Sequence, residues 1–364
     1  MLRAALVGFP GSGKTTLFQL MTAARDAPRG KGDVAVGISK VPDTRLDMLT
    51  ALFNPRKRVP ATVEFTDIVV PPRTGAGAQA LLDVAAYRNA DALVHVVRAF
   101  REASIPHPSG AVDPARDAQA MEDELMLADL GVVERRLERI EKDLRKARSA
   151  DLERERDLLE RCKTALEEGR PLRALELTAD DRKRLRGFQL LSARPLLLAI
   201  NLDEADLTEV GASVQKAAQN TGLTAFLAHA ATGAVAVCGK IELEIARLEG
   251  PDAAAFLSDL GLTESGLDRV IRATYDLLGY LSFFTVGEDE CRAWSIARHT
   301  PAHLAAGEIH SDIQRGFIRA EVVSYATLAT YGSMQACREH GEVRLEGQEY
   351  IVQDGDIINF RHAT

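Results

Sequence analysis

Cysteine is scarce in this chain: four in 364 residues, Cys162, Cys238, Cys291 and Cys337, with no two in a C-x-x-C pair. Thiols so scattered read as reduced, and they exclude both a disulfide frame and a cysteine-built zinc site. No run of about eighteen apolar residues occurs, which excludes a membrane-spanning helix and any membrane partner. The start, MLRAALVGFPG, leads into a Gly-rich loop rather than a cleavage site, so no signal peptide is expected and the protein is placed in the cytoplasm. Positive charge is also in deficit. A formal net charge of −8 argues against whole-surface nucleic-acid affinity, and no DNA partner is expected, while a local basic face is compatible with it. What remains is ordinary globular composition, 46% hydrophobic and 27% charged, in a chain long enough for at least two cores.

Four apolar runs read as buried parallel strands: LRAALVGF from Leu2, TVEFTDIVV from Thr62, ADALVHVVRAF from Ala90 and RPLLLAINL from Arg194. Helical patterns alternate with them, TTLFQLMTAA first and GAQALLDVAAYRNA later. That alternation predicts a doubly wound α/β sheet whose ligand sits beyond the carboxyl ends of the strands. Between the third and fourth strands the character changes. From Gly131 to Arg186 there are 17 Lys and Arg against 14 Asp and Glu, a local excess of +3, with Leu137, Ile140, Leu144 and Ala147 at helical spacing. The register breaks near Ser149, so an antiparallel, coiled-coil-like hairpin is expected; it is either a solvated face laced with ion pairs or a docking arm. A polar, helical segment from Leu243 to Thr274 follows. The last stretch turns β-rich (YLSFFTV, ECRAWSIA, IRAEVVS, EVRLEGQEYIVQDGDIINFR), with one helix at YATLATYGSMQACREHG, suggesting a β-grasp-like unit that buries Phe283, Phe284 and Trp294.

The chemistry concentrates on one rim. Gly8 to Thr15, GFPGSGKT, fits G-x-x-x-x-G-K-[ST] and joins a strand to a helix, the context a phosphate-binding loop requires. Backbone N–H groups of Gly11, Ser12, Gly13, Lys14, Thr15 and Thr16 can wrap phosphates, Lys14 can contact the β and γ phosphates, and the Thr15 hydroxyl can ligate Mg²⁺. Asp67 closes a strand where such proteins place the acid that orients Mg²⁺. After it, Val70 stands where Asp-x-x-Gly would place Gly, Pro71 and Pro72 lack an N–H, and no Gln or His follows; Arg73 is a candidate internal arginine finger. Asn201-Leu202-Asp203-Glu204 ends the fourth strand where Asn-Lys-x-Asp would read guanine. Leu202 removes the Lys and Glu204 is one methylene longer, which weakens guanine selection, and a base pocket with an apolar floor at Leu202 suits adenine at least as well. His95, inside an apolar strand, reads as a satisfied core residue.

These residues resemble the YchF family, the Obg-like ATPases. VPDTRLDML, HVVRAF, ELMLADLGVVERRLERIEK, ALELT and NLDE carry the likeness, and LLGYLSFFTVGEDECRAW, AAGEIHSDIQRGFIRAEVVSY and LEGQEYIVQDGDIINFR carry it most specifically. The resemblance implies a P-loop G-domain over 1–116 and 190–280, a helical-hairpin insert over 117–189 and a TGS-like β-grasp domain over 281–364. It also implies ATP preference through Asn201 and Glu204 and association with ribosomes or translation. The favoured reading is a P-loop NTPase whose slow hydrolysis rests on Lys14 and Asp67 and whose arm and TGS-like domain meet the ribosome or ribosomal RNA. Departures cluster in the segments that sense the γ-phosphate. Gly11 and Ser12 replace an Asn-Val pair, weakening the expectation of monovalent-cation activation; Lys31 stands where a Mg²⁺-closing Thr belongs; Asp-Ile-Ala-Gly has become Asp67-Ile68-Val69-Val70. A divergent member is therefore expected. Its alternatives are a scaffold that holds ATP or GTP without hydrolysing it, and a small-molecule kinase, which would need an Arg-rich lid and an acceptor pocket.

Overall fold

The computed structural model describes residues 2–22, 34–68 and 87–363. Lys31, Val69, Val70, Pro71, Pro72 and Arg73, and with them the question of the rewritten switch segments, lie outside the described residues. The strands are β1 Leu2–Val7, β2 Val34–Lys40, β3 Lys57–Val59, β4 Thr62–Ile68, β5 Ala92–Arg98, β6 Leu196–Asn201, β7 Thr232–Val237, β8 Tyr280–Thr285, β9 Glu290–Ala297, β10 Phe317–Ser324, β11 Arg344–Glu346 and β12 Asp356–His362. Two compact units form, one from 1–39 and 64–277, the other from 40–63 and 278–364.

The first unit contains a six-stranded sheet in the order β2-β4-β1-β5-β6-β7, with β1, β5, β6 and β7 parallel. Every residue of β5 and β6 is buried, which is why these strands read as unbroken apolar runs: helices cover both faces. The sequence did not reveal β2 and β7. The strand β2 is an edge strand that buries only alternate positions near its end, and its Gly37 is a close-packing residue, since a Cβ there would come within 2.5 Å of Thr22 on the phosphate-loop helix.

The arm is a helix of 33 residues, Pro114–Lys146, folded back on a second, Ala150–Glu167. Pro114 opens the first helix behind Asp113, whose carboxylate accepts from the Arg116 N–H at 3.0 Å. The break expected near Ser149 is there, as the Ser149 hydroxyl caps the second helix. Val133 and Ile140 pack against Leu158, Leu159, Cys162, Ala165 and Leu166 along the seam. At the root, buried Asp129 accepts from the Leu191 and Ser192 backbone N–H groups at 2.9 and 2.7 Å and from the Ser192 hydroxyl at 2.8 Å. Glu122 and Arg173, both buried, form a two-pronged pair beside it.

In the second unit the sheet order is β11-β10-β12-β8-β9-β3, with β8/β9 antiparallel, β12/β8 parallel and β10/β12 antiparallel, a β-grasp order. The helix it grasps is Ala302–Ile309, not the YATLATYGSMQACREHG segment expected from the sequence. Ala302, Ala305 and Ala306 are fully buried against Phe283, Phe317 and Ile358, and small side chains let helix and sheet approach closely. The YATLAT segment forms two shorter helices, Tyr325–Tyr331 and Met334–Glu339, interrupted where Gly332 turns left-handed. Residues 40–63 join this unit, an association the sequence did not suggest: β3 runs parallel to β9, and Arg45 is held by Asp43 at 2.8 Å and Asp354 at 2.7 Å over the Phe284 ring.

Candidate functional site

The phosphate loop leaves β1 and enters the helix Lys14–Thr22, its glycines in backbone conformations other residues avoid. Gly13 has φ +91°, and a Cβ there would lie 2.4 Å from the Asn201 side-chain nitrogen. Gly11 is exposed at φ +77°, so the loop backbone can approach a ligand without a side chain in the way. The helix carries no acid in its first turn, leaving its free N–H groups and positive dipole end for an anion. Thr16 sits half-buried in that first turn.

Asp67 arrives from the end of β4. It is 1% exposed; its Oδ2 accepts from the Thr15 hydroxyl at 2.7 Å, and its Oδ1 faces the Lys14 ammonium at 3.5 Å. Beyond that ion pair, Oδ1 has no hydrogen-bond donor among the described residues. A buried carboxylate oxygen with spare lone pairs beside a threonine hydroxyl is the all-oxygen donor set a hard divalent cation takes. Among the described residues no group of three His, Cys, Asp or Glu converges to hold a metal. Lys14, Thr15 and Asp67 therefore meet at one point, as their spacing suggested.

Asn201, 3% exposed at the end of β6, spends its whole amide on the protein: Nδ2 donates to the Ser12 carbonyl and Oδ1 accepts from the Gly239 N–H, both at 2.9 Å. It fastens the phosphate loop to the ends of β6 and β7. Leu202 is corrected from base-pocket floor to core: it is 3% exposed, and its N–H donates to Val237 at 2.8 Å. Asp203 accepts from the Arg101 N–H at 3.0 Å, and Glu204 is exposed at the start of the helix Glu204–Val210.

Behind the loop lies a buried polar group that sequence patterns did not single out as a site. Arg98, 3% exposed at the end of β5, stacks on Phe100 at 4.6 Å and donates to the Ile105 carbonyl at 2.8 Å, which organises the loop after β5. Its remaining terminal nitrogen has no hydrogen-bond partner among the described residues and would lie 3.3 Å from a Cβ at Gly11. His107 and Asp117, 2.7 Å apart and buried, flank the same place. His95 is buried as expected, but its Nε2 lacks a hydrogen-bond partner among the described residues, and burial pushes its pKa down to about 3. Arg98 was visible in principle as a charge closing an apolar strand; the His107–Asp117 pair is not, because only the loop path after β5 brings it to the phosphate loop.

Residues 280–363 match the family model YchF-GTPase_C, described as a protein of unknown function (DUF933). A Bacillus subtilis protein named "Ribosome-binding ATPase YchF" is 42% identical over 99% of both chains, and its namesake in Escherichia coli O157:H7 is 37% identical over 98% of both. "Obg-like ATPase 1" of Oryza sativa subsp. japonica is 32% identical over 99% of this chain and 92% of its own. The structure of the Schizosaccharomyces pombe YchF GTPase superposes with a TM-score of 0.82 at 28% identity, over 99% of this chain and 97% of that one.

Proposed function

The chain belongs to the YchF family, and from that premise we propose that it is a P-loop NTPase that binds Mg·ATP ahead of GTP and associates with the ribosome in a nucleotide-dependent way. The observation that carries the nucleotide half is the meeting of Lys14, Thr15 and Asp67 at the N-terminus of a helix. Phosphate oxygens would replace the Asp67 carboxylate as the Lys14 partner, while backbone N–H groups from Gly11 to Thr16 hold the β-phosphate side. Bound Mg²⁺, held by Thr15 and Asp67, would supply electrostatic stabilisation of charge on the phosphates. Lys14 supplies the protein's own share and orients the terminal phosphate. No described residue is placed as a general base, so intrinsic hydrolysis is proposed to be slow, on the order of 10⁻⁴ to 10⁻² per second.

The preference for ATP has a structural argument. No lysine lies immediately after Asn201, Leu202 is packed in the core, and the position of the guanine-reading acid holds Glu204, one methylene longer than Asp and exposed at the start of its helix. The set that reads a guanine edge thus lacks its lysine and carries a longer acid, and Asn201 acts by fixing the loop. The ribosomal half is supported by the names of the relatives, and we assign the contact to the arm and the β-grasp unit. Equilibrium binding and single-turnover hydrolysis of Mg·ATP and Mg·GTP, with Lys14→Ala as control, test the first half. Tighter binding and turnover with ATP that vanish in Lys14→Ala are expected; GTP preference, or turnover indifferent to Lys14, would sink it. Co-sedimentation with ribosomes in the ATP, ADP and nucleotide-free states tests the second half, and equal binding in all three would remove the nucleotide dependence.

A further inference from the structure

The excess of +3 on the arm is not spread evenly. On the helix Pro114–Lys146 the seam residues Val133, Leu137, Ile140 and Leu144 define the inner face. At 100° per residue, Arg135, Arg139, Lys142 and Lys146 fall on the face opposite, within an arc of roughly 60°. All four are exposed. Among the described residues Arg135, Arg139 and Lys142 have no carboxylate within 4 Å, while Lys146 pairs with Asp143 at 3.1 Å. Glu138 and Asp143 lie on the flanks, roughly 60° and 80° around the helix. Exposed Arg145 and Arg148 extend the cationic surface to the tip.

The partner helix Ala150–Glu167 has the opposite pattern. Its seam residues are Leu158, Leu159, Cys162, Ala165 and Leu166, and its far face carries Glu153, Asp157, Glu160 and Glu167, all exposed. Two neutralising cations sit at the edge of this face: Arg156 contacts Asp157 at 2.8 Å, and Lys163 contacts Glu167 at 3.6 Å. Since the helices share one seam, the two outer faces turn away from each other. The hairpin therefore has a cationic side whose charges are largely unpaired and an acidic side whose charges are partly paired internally.

We propose that the side presenting Arg135, Arg139, Lys142 and Lys146 is an RNA-binding face that lies along the phosphate backbone of ribosomal RNA. It rests on the ribosomal reading above and assigns the side of the arm that makes contact and the chemistry it recognises. The four cations span twelve residues, about 16 Å of helix, a spacing that lets a rigid rod meet several phosphates of a strand or groove edge. Solvated cations without a fixed carboxylate partner keep their full charge for phosphate and release counterions on binding. The acidic far face repels the same backbone and so restricts docking to one orientation. In a chain of net charge −8 such recognition must be local and steeply salt-dependent.

The test compares the full-length wild type with Arg135→Glu/Arg139→Glu/Lys142→Glu, with the milder Arg135→Gln/Arg139→Gln/Lys142→Gln, and with Glu153→Gln/Asp157→Gln/Glu160→Gln on the far side. Each is titrated against purified bacterial ribosomes and against a short RNA duplex over a salt series, with ATP affinity and circular dichroism as controls. The charge reversal is expected to weaken ribosome and duplex binding roughly 10- to 100-fold, and the Gln variant to lower the salt slope by about two to three, with ATP binding and helicity unchanged. The far-side variant should bind as well as wild type or better. Wild-type affinity in the Gln variant overturns the inference. Stripe-dependent ribosome binding with no duplex binding and a shallow salt slope also overturns it, in favour of an acidic protein surface. Stripe-dependent duplex binding without any ribosome binding keeps the RNA face and rejects the ribosomal reading, whereas a wild type that binds neither rejects both.

Discussion

At the sheet rim, Asp67 is 1% exposed and Lys14 13%, and the two meet in a fixed geometry with Thr15. Along the arm, Lys146 and Asp143 are 76% and 51% exposed, and their pair at 3.1 Å is one of many. Both regions are built from charge, but burial decides what a charge does. At the rim, desolvated groups have few alternative partners, so single atoms carry chemistry. On the arm, water screens each pair, so only the sum over a face has consequence.

The largest test of that contrast is Lys14→Ala, which should lower nucleotide affinity or single-turnover rate by about 10²- to 10³-fold with little change in melting temperature. A loss below tenfold would mean that the rim is not the phosphate site. Next comes a buried carboxylate away from the loop. Burial pushes the Glu242 pKa up from 4.5 to about 7, although its Oε1 accepts from the Gly266 N–H at 2.7 Å. The unfolded chain gives up this proton first, so between about pH 4.5 and 7 the folded state binds more protons and stability falls as pH rises. Up to about 3 kcal/mol is lost across that window, and Glu242→Gln should flatten this part of the curve in chemical denaturation. A Gln variant with an unchanged slope would assign the pH dependence to other groups.

Asn201→Ala removes two buried hydrogen bonds at once and should cost about 2 kcal/mol of stability. It should also weaken ATP binding by loosening the phosphate loop; ATP affinity at wild-type level by calorimetry would make Asn201 purely structural. On the arm, Arg136→Ala breaks a two-pronged contact with half-buried Glu155, 2.7 and 2.9 Å, yet should cost only about 0.5 to 1 kcal/mol. Smallest of all, Arg139→Gln alone should shift stability by less than about 0.5 kcal/mol. Its ribosome affinity should fall only severalfold, since the stripe acts as a sum. A single-residue collapse of binding there would show that the arm uses rim-like, site-specific recognition.

Much of the site was legible because its physics is local. A phosphate loop needs glycines and a helix start in consecutive residues, and GFPGSGKTT displays both; Asp67 and Asn201 were found because buried parallel strands end in recognisable apolar runs. The arm was legible for the same reason, its seam repeating at three and four residues up to the Ser149 cap. What was not legible depends on partners far away in sequence. The role of Leu202 turned on whether the core reached it, and the grasped helix Ala302–Ile309 was hidden because a run of small residues signals close packing only once the sheet around it is known. Residues 40–63 carry no pattern that assigns them to the C-terminal unit; the β3/β9 pairing and the Arg45–Asp354 contact do so across more than two hundred residues.

The sequence by itself determined the nucleotide chemistry, the helical hairpin and the family, since each is written in residues a few positions apart whose geometry follows from backbone rules. Only the tertiary structure decided that Asn201 braces the loop, that Arg98, His95 and the His107–Asp117 pair gather behind the phosphate loop, and that the two charged faces of the arm turn apart. Those outcomes depend on which groups burial brings together and strips of water, a property of the packed chain that no stretch of it contains.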